Sequence, residues 1–302
     1  MDYLKNVNVE ELPKVDTIHH VLATDSASTA LKLLTKYNVL SAPVLDKERN
    51  QYIGFVDMVD LAAFIVDIYT ETDIMGENFL SLLEQGERFI TTKVKDLINL
   101  SSRNPFVPVR EGSSLYSVIE LLAKHKVHRV PVIDLQGRVS NLLTQSSVLS
   151  YLAAHLDKLG SVTEQTVAEL LLGHKDVITI GVNARAIDAF KIMTDRGISA
   201  VGVVDEEGKL VGNISVRDIR VVAGDARLIQ RLYLGVREFI YKINSERIDI
   251  INPAIGCSAK DTYGLVVQKL AASRVHRIYV VENHVPIGLI SLSDALLPLV
   301  SH

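Results

Sequence analysis

The sequence predicts an α+β protein in which one supersecondary unit is repeated four times. The strongest evidence is the string VHRVPVID at residues 127–134, which returns as VHRIYVVE at residues 275–282. Weaker copies stand at residues 39–46 and 198–205, each ending in an aspartate after an apolar run. Because the four copies align without a gap, one unit repeated four times accounts for most of the chain.

Counting back from the terminal acid of each copy gives columns that are apolar in all four repeats. The positions twelve residues back are Leu34, Leu122, Met193 and Leu270, and those four residues back are Ala42, Val130, Val201 and Ile278. The upstream spacing fits one face of a helix, and the apolar run before the acid fits a buried strand. A turn, another apolar strand and another helix follow, so each unit reads strand, helix, strand, strand, helix. One such unit has too little core to fold alone.

Length and composition predict two domains of two repeats. The chain has 302 residues, of which 48% are hydrophobic and 23% charged. A formal net charge of −4 gives no footprint for nucleic acid or for an anionic membrane. Cys257 is the single cysteine, which excludes an intrachain disulfide and indicates a reducing compartment.

The segments most like targeting sequences lack the necessary features. The first 14 residues carry acids and have no apolar core, and the longest apolar stretch, residues 58–69, contains Asp60 and Asp67. We therefore expect no signal peptide and no membrane span, and a soluble protein of the cytoplasm and also of the nucleus.

The repeats predict two modules that follow a lead-in at residues 1–13. The first module, residues 14–158, holds repeats 14–66 and 93–155 around a connector, 67–92; the second, residues 159–302, holds repeats 165–222 and 248–300 around a connector, 223–247. We expect both connectors to be helical. The second is basic, which usually indicates a solvated face and alternatively a docking site for a partner.

The beginning of the second helix carries candidate site residues in the first, third and fourth repeats, whereas the second repeat has Ser147 in place of the acid. A Ser followed three residues later by Asp places a hydroxyl and a carboxylate beside unpaired backbone N–H groups. These N–H groups can hold a phosphate, and the carboxylate can accept both hydroxyls of a ribose. The candidates are Asp294, Ser291, Ser293, Asp218, Ser215 and Asp60.

Two His-Arg pairs are candidates for binding the phosphates of the same ligand. They are His128 with Arg129 and His276 with Arg277, in one register of the second and fourth repeats. A guanidinium is a fork that fits phosphate oxygens. The alternative is structural, because Ser-x-x-Asp also caps helices and a histidine can lie in the interior. Repetition in one register favours the ligand hypothesis.

The repeat resembles the cystathionine-β-synthase (CBS) domain, and four in tandem resemble the γ subunit of AMP-activated protein kinase. The two VHR strings and residues 290–296 carry the resemblance. It implies that repeats pair about a pseudo-twofold axis into Bateman modules, that two modules form a flat disc, and that AMP, ADP or ATP lies between repeats. It also implies a kinase catalytic α subunit and a scaffolding β subunit as partners.

The first half departs from the γ-subunit pattern at three places. Leu40 stands where that family has a phosphate-facing Arg, and residues 145–147 replace a basic stretch. The charge of Asp57 would repel a phosphate. We therefore rank the sites built on Asp294 first, then Asp218, then Asp60. Arg196 and Arg217 are possible sources of replacement charge.

The sequence indicates a protein without catalytic activity. It contains no Gly-rich phosphate loop, no His-Glu-x-x-His and no Gly-x-Ser-x-Gly motif. Three functions stay open: an adenine-nucleotide sensor, a scaffold whose clefts have lost their ligand, and a binder of another adenosyl ligand such as S-adenosylmethionine. Exposed faces of the modules could also stack on a second copy of the chain.

Overall fold

All four repeats form the same three-stranded sheet. The computed structural model describes residues 2–70, 86–98, 105–222, 226–246 and 254–300. In each sheet a short first strand pairs parallel with the second strand, which pairs antiparallel with the third. The strands are β1 Val21–Leu22, β2 Ser41–Asp46, β3 Gln51–Asp57, β4 Val109–Arg110, β5 Arg129–Ile133, β6 Val139–Thr144, β7 Thr179–Gly181, β8 Ala200–Val204, β9 Leu210–Ser215, β10 Gly256–Cys257, β11 Arg277–Glu282 and β12 Val285–Ser291. The predicted α+β repeat is confirmed.

Helices follow the first and third strands, as predicted, with one change of type. In the third repeat, Val216–Val222 is a 3₁₀ helix instead of an α-helix. The α-helices with defined bounds are α1 Asp2–Asn6, α2 Ala27–Lys36, α3 Met58–Thr70, α4 Leu115–Ala123, α5 Gln145–Ala153, α6 Ala186–Asp195, α7 Val236–Glu246, α8 Tyr263–Ser273 and α9 Leu292–Leu296. Within the described ranges, no helix combines the length and apolarity needed to cross a membrane.

The connectors contain helix wherever they are described. Residues 86–91 of the first connector are helical, and the helix expected over residues 71–85 lies outside the described residues. In the second connector, α7 supplies the expected helix. Tyr241, on this helix, leaves 74% of its surface exposed, which fits both a solvated face and a docking site.

The apolar columns found in the sequence face the interior. The residues twelve positions before the terminal acid lie on the first helix of each repeat, and none is more than 1% exposed: Leu34, Leu122, Met193 and Leu270. Those four positions before the acid lie on the second strand and are 0% exposed: Ala42, Val130, Val201 and Ile278. The period of the pattern therefore identified the buried face of both elements.

The terminal acid of three repeats stabilises the hairpin turn. The Oδ1 atoms of Asp46, Asp134 and Asp205 accept hydrogen bonds of 2.8–3.2 Å from backbone N–H groups two to four residues later. In the fourth repeat, Asn283 and His284 make the turn with φ of 49° and 68°. An aspartate that begins a turn in this way mimics a backbone turn, which explains its recurrence.

Two apolar cores form, and each combines repeats from both halves of the chain. The first core joins the first and third repeats, where α3 packs on α6. The second joins the lead-in with the second and fourth repeats, where α5 packs on α8 and α4 on α9. The division into modules 14–158 and 159–302 stays a prediction, and both cores contain residues from each side of it.

Within each half, neighbouring repeats meet through their sheets. The rings of Phe55 and Phe106 stack with centroids 5.7 Å apart, joining the first and second repeats. Tyr279 donates to Asn213 Oδ1 at 2.6 Å, and Leu210 N donates to His284 O at 2.9 Å, joining the third and fourth. Sheet contacts within halves and helix contacts between halves together bring all four repeats around one centre.

A close contact between two glycines fixes the segment that precedes β7. Gly173 has φ of 76°, and its carbonyl oxygen lies 1.8 Å from the position that a Cβ on Gly288 would occupy. A side chain at residue 288 would therefore force this segment away from β12.

We predict that Gly288→Ala lowers the free energy of unfolding by about 1–3 kcal/mol, because the added methyl overlaps backbone that cannot rotate away. Urea denaturation of the whole chain measures the change. Gly181→Ala is the control, since a Cβ there meets no atom within 4 Å. Equal stability of the two variants would contradict the contact.

Candidate functional site

A cavity of about 980 Å³ lies where the four repeats meet, and every repeat contributes to its wall. The wall contains the turn between the first helix and the second strand of each repeat, and the beginning of each second helix. These are the segments in which the sequence placed its candidate residues. The shared cavity follows from the way in which the cores and sheets connect the repeats.

Seven of the ten candidate residues line the cavity, and the three carboxylates do not. The seven are His128, Arg129, Ser215, His276, Arg277, Ser291 and Ser293. That Asp60, Asp218 and Asp294 contact a ligand stays a prediction. Asp60 and Asp218 are buried, at 1% and 6% exposure.

These carboxylates cap the helices on which they lie. Asp218 Oδ2 accepts Ser215 N at 2.7 Å, and Asp294 Oδ2 accepts Ser291 N at 2.9 Å and Ser291 Oγ at 2.6 Å. Asp60 Oδ2 accepts the backbone N–H of Asp57 at 3.1 Å. The bonds are reciprocal, as in a capping box, between Ser291 and Asp294 and between Asp57 and Asp60. The structural alternative to ligand binding therefore accounts for these bonds.

Asp294 differs from the other two acids because it also binds a lysine from the third repeat. Lys175 Nζ lies 2.7 Å from Oδ1 and 2.9 Å from Oδ2 of Asp294. The Asp294 side chain is 17% exposed, and Lys175 lines the cavity. Sequence reasoning missed Lys175, since it lies before β7, outside the columns that align the repeats.

The cavity wall is positively charged although the chain is not. Its six Lys and Arg residues outnumber its two Asp residues, whereas the whole chain has a formal net charge of −4. An excess of one sign of charge in a concave site concentrates ions of the opposite sign, so the cavity suits an anion. The charged residues of the wall are Lys126, Arg129, Lys175, Arg217, Arg274, Arg277, Asp57 and Asp176.

Arg129 carries a buried polar atom that lacks an acceptor. The residue is 8% exposed, and its Nη1 has no hydrogen-bond partner among the residues that the structure describes. Burial lowers the pKa of Arg129, and the charges of Asp57 and Asp60 oppose that lowering. Because an unsatisfied buried donor is costly, an acceptor on a ligand in the cavity would stabilise this arrangement.

Asp57 lines the cavity and caps a helix. Its Oδ1 accepts Val59 N at 2.8 Å and Asp60 N at 2.9 Å, which caps α3. Its negative charge also acts on Arg129, which stabilises the guanidinium. The expected repulsion of a phosphate by Asp57 stays a prediction.

Arg277 occupies the same register in the fourth repeat and joins it to the third. Its Nη2 donates to Ser199 Oγ at 2.7 Å and its Nη1 to Ala200 O at 3.1 Å. Leu40 lies in the register of Ser199 in the first repeat and also lines the cavity. The absence of a basic group at residue 40 is thus a feature of the wall, as the sequence suggested.

His276 faces the cavity as a neutral imidazole. Burial, followed by the charges of Arg217, Arg277, His128 and Arg129, lowers the pKa of His276 to about 3. Its Nε2 lies 3.4 Å from Ser146 Oγ of the second repeat. Both histidines line the cavity rather than an apolar core. Arg217 supplies charge there as suggested, whereas Arg196 is exposed outside the wall.

A left-handed residue stands at the same turn of every repeat and brings two further cations to the cavity. The four residues lie eight positions before the terminal acid and line the wall: Asn38, Lys126, Gly197 and Arg274, with φ of 51°, 53°, 60° and 53°. Asn and Gly adopt this conformation readily, whereas Lys and Arg are strained in it. Asn38 and Gly197, which favour the left-handed conformation, mark this column as a turn in the sequence. They could have indicated that Lys126 and Arg274 occupy the same turn in the other two repeats.

Gln145 connects the second and fourth repeats at the cavity wall. Its Nε2 donates to Ser293 Oγ at 2.7 Å and also lies within 3.3 Å of the carbonyl oxygens of Leu122 and Val127. Ser293 therefore accepts a hydrogen bond from Gln145, which lies in the stretch that is basic in the γ-subunit pattern. Among the described residues no group of three or more His, Cys, Asp or Glu could hold a metal ion.

The sequence profile of the CBS domain matches residues 9–67, 94–154 and 167–224, which is more than half of the chain. The chain belongs to the CBS-domain family. The matched residues cover the first three repeats, and the fourth has the same sheet topology in β10, β11 and β12.

Two similar proteins are γ subunits of kinases. The SNF1-related protein kinase regulatory subunit gamma-1 of Arabidopsis thaliana is 28% identical, over 91% of this chain and 77% of that protein. The 5'-AMP-activated protein kinase subunit gamma-3 of Bos taurus is 26% identical, over 88% of this chain, which spans about half (52%) of its length. The resemblance to kinase γ subunits is confirmed.

A solved structure confirms the fold over the whole chain. The crystal structure of a Methanocaldococcus jannaschii protein superposes with a TM-score of 0.73 at 19% identity, over 96% of this chain and 99% of that one. At this identity the comparison establishes the arrangement of the four repeats and nothing about the ligand.

We predict that Lys126→Gly raises the free energy of unfolding by about 0.5–1 kcal/mol, because glycine removes the steric strain of a left-handed lysine and gives back part of the gain as chain entropy. The reciprocal variant Gly197→Lys should lose about 1 kcal/mol by the same argument. Urea denaturation compares the two. A loss of stability in Lys126→Gly would show that the turn is not strained.

Proposed function

We propose that this chain is the adenine-nucleotide-sensing subunit of a protein kinase complex and that AMP, ADP and ATP compete for its central cavity. The observation that carries the proposal is the buried Arg129 Nη1, which lacks an acceptor in a wall of six cationic side chains and two carboxylates. A phosphate supplies such an acceptor with matching charge and geometry. The two γ-subunit relatives support the kinase context.

In this proposal the phosphates lie among four residues of the second and fourth repeats: His128, Arg129, His276 and Arg277. Ser215, Ser291 and Ser293 present hydroxyls to the same cavity, at helix N-termini where backbone N–H groups favour anions. Asp294 is the acid proposed for the ribose, because it is more exposed than Asp218 or Asp60.

In this proposal, each nucleotide regulates the protein through the difference between its affinities for two arrangements of the repeats. Because the wall contains all four repeats, a ligand with two or three phosphates contacts different parts of it from AMP and favours a different arrangement of the repeats. The proposed recipients of that change are a kinase catalytic α subunit and a scaffolding β subunit, in the cytoplasm and the nucleus. Stacking on a second copy of the chain is a further proposed contact.

A scaffold without a ligand is the second candidate. The capping bonds of Asp218 and Asp60, together with Leu40 in the wall, favour it, since none of these features requires a ligand. Positive charge in the cavity favours the sensor, because a scaffold gains nothing from concentrating cations around a void.

We predict that isothermal titration calorimetry detects binding of AMP, ADP and ATP and that Arg277→Gln weakens AMP binding by about 10-fold to 100-fold, the value of a charged hydrogen bond to phosphate. Arg196→Gln is the control, because this arginine is exposed outside the cavity wall. Circular dichroism of both variants establishes that they are folded.

The scaffold gains support if none of the three nucleotides binds and none is released when the purified protein is denatured. Equal weakening by Arg277→Gln and Arg196→Gln would instead reject the proposed site while leaving a nucleotide ligand possible elsewhere.

We predict that AMP binding raises the pKa of His276, so that protons are taken up between about pH 3 and the pKa of the bound state. His276 is neutral in the empty cavity, since its pKa is lowered to about 3, and an adjacent phosphate favours the imidazolium. Affinity should therefore fall as the pH rises through the pKa of the bound state. Calorimetry in two buffers of different ionisation enthalpy measures the uptake. It should disappear in His276→Gln, and equal uptake by the variant would assign the proton to another group.

A further inference from the structure

We propose that Lys175 makes the cleft of the fourth repeat select phosphorylated adenosine over adenosine itself. The inference rests on the proposed function and assigns to Lys175 a role in specificity. It begins from the two contacts of 2.7 and 2.9 Å between Lys175 Nζ and the carboxylate of Asp294.

The carboxylate of Asp294 has little capacity left for a sugar. Its Oδ2 accepts Ser291 N, Ser291 Oγ and Lys175 Nζ, and its Oδ1 accepts Lys175 Nζ. Each carboxylate oxygen offers about two lone-pair sites. One ribose hydroxyl can approach Oδ1 while the ammonium stays, and a second hydroxyl requires the ammonium to leave.

The backbone positions Lys175 at this place. The preceding Gly173 packs its carbonyl oxygen against Gly288 of β12, so close that no Cβ fits between them. Asp294 lies on α9, which follows β12 directly, and Ser291 ends that strand. This packing places the backbone of Lys175 opposite the carboxylate and leaves its flexible side chain unfixed.

The side chain of Lys175 has an alternative partner only when the ligand carries phosphate. Lys175 lines the same cavity as Arg277 and His276, and its side chain is 53% exposed, so it is free to rotate on its stem. Adenosine that binds Asp294 through both ribose hydroxyls displaces the ammonium of Lys175 and offers it no new anionic partner. AMP displaces the ammonium as well, but its phosphate becomes a new partner for Lys175, so one ion pair replaces another.

Calorimetric titration of adenosine and of AMP into the full chain and into Lys175→Met tests the inference. We expect Lys175→Met to bind adenosine about twofold to fivefold more tightly, the value of an exposed ion pair, and to bind AMP no more tightly than the unmodified chain. Lys126→Met is the matched control, another lysine of the same wall, and it should weaken AMP binding without tightening adenosine binding.

The ratio of AMP affinity to adenosine affinity decides the outcome. A lower ratio in Lys175→Met than in the unmodified chain supports the inference, and an unchanged or higher ratio overturns it. Adenosine binding to neither protein also overturns it. Failure of AMP, ADP and ATP to bind the unmodified chain rejects the proposed function, whereas adenosine binding gained by Lys175→Met would still support the role of the lysine.

Discussion

Each repeat needs another repeat to cover its helices, and this requirement determines where the cavity lies. A unit of three strands and two helices cannot bury both helices by itself. Here α3 packs on α6, and α5 packs on α8, so that each core combines both halves of the chain. Sheet contacts such as that between Phe55 and Phe106 then join neighbouring repeats. Helix contacts join repeats of different halves, and sheet contacts join neighbouring repeats of one half. Together they leave one cavity at the centre, with a wall that needs all four repeats.

Repetition in sequence becomes concentration of charge in space. The turn after the first helix points toward the centre in all four repeats, so a basic residue in that column reaches the cavity whichever repeat carries it. The second and fourth repeats carry Lys126 and Arg274 there, at φ of 53° in both. Strain of this kind is retained where neighbouring structure over-determines it. The chain thus combines a negative total charge with a positive interior wall, a distribution that composition alone conceals.

The sequence register was sufficient to predict the repeat, its buried faces and seven of the residues around the cavity. It could not predict which repeats share a core, because an apolar column shows that a helix is covered without showing by what. Nor could it separate a capping carboxylate from a ligand carboxylate, since Ser291 and Asp294 have the spacing that both require. Lys175 meets Asp294 across 119 residues, from a segment that no repeat column includes. A contact made by one residue outside the repeat columns leaves no periodic signal in the sequence, so it could not be predicted.

Arg220 gives the two halves of the chain a mechanical connection. From the 3₁₀ helix of the third repeat it donates to Asn38 Oδ1 at 2.6 Å and to Val39 O at 2.7 Å, at the left-handed turn of the first repeat. Any displacement of that turn must either break these bonds or drag the third repeat with it. The first and third repeats, which share no sheet, are therefore joined by side-chain bonds at the cavity wall as well as by their common core.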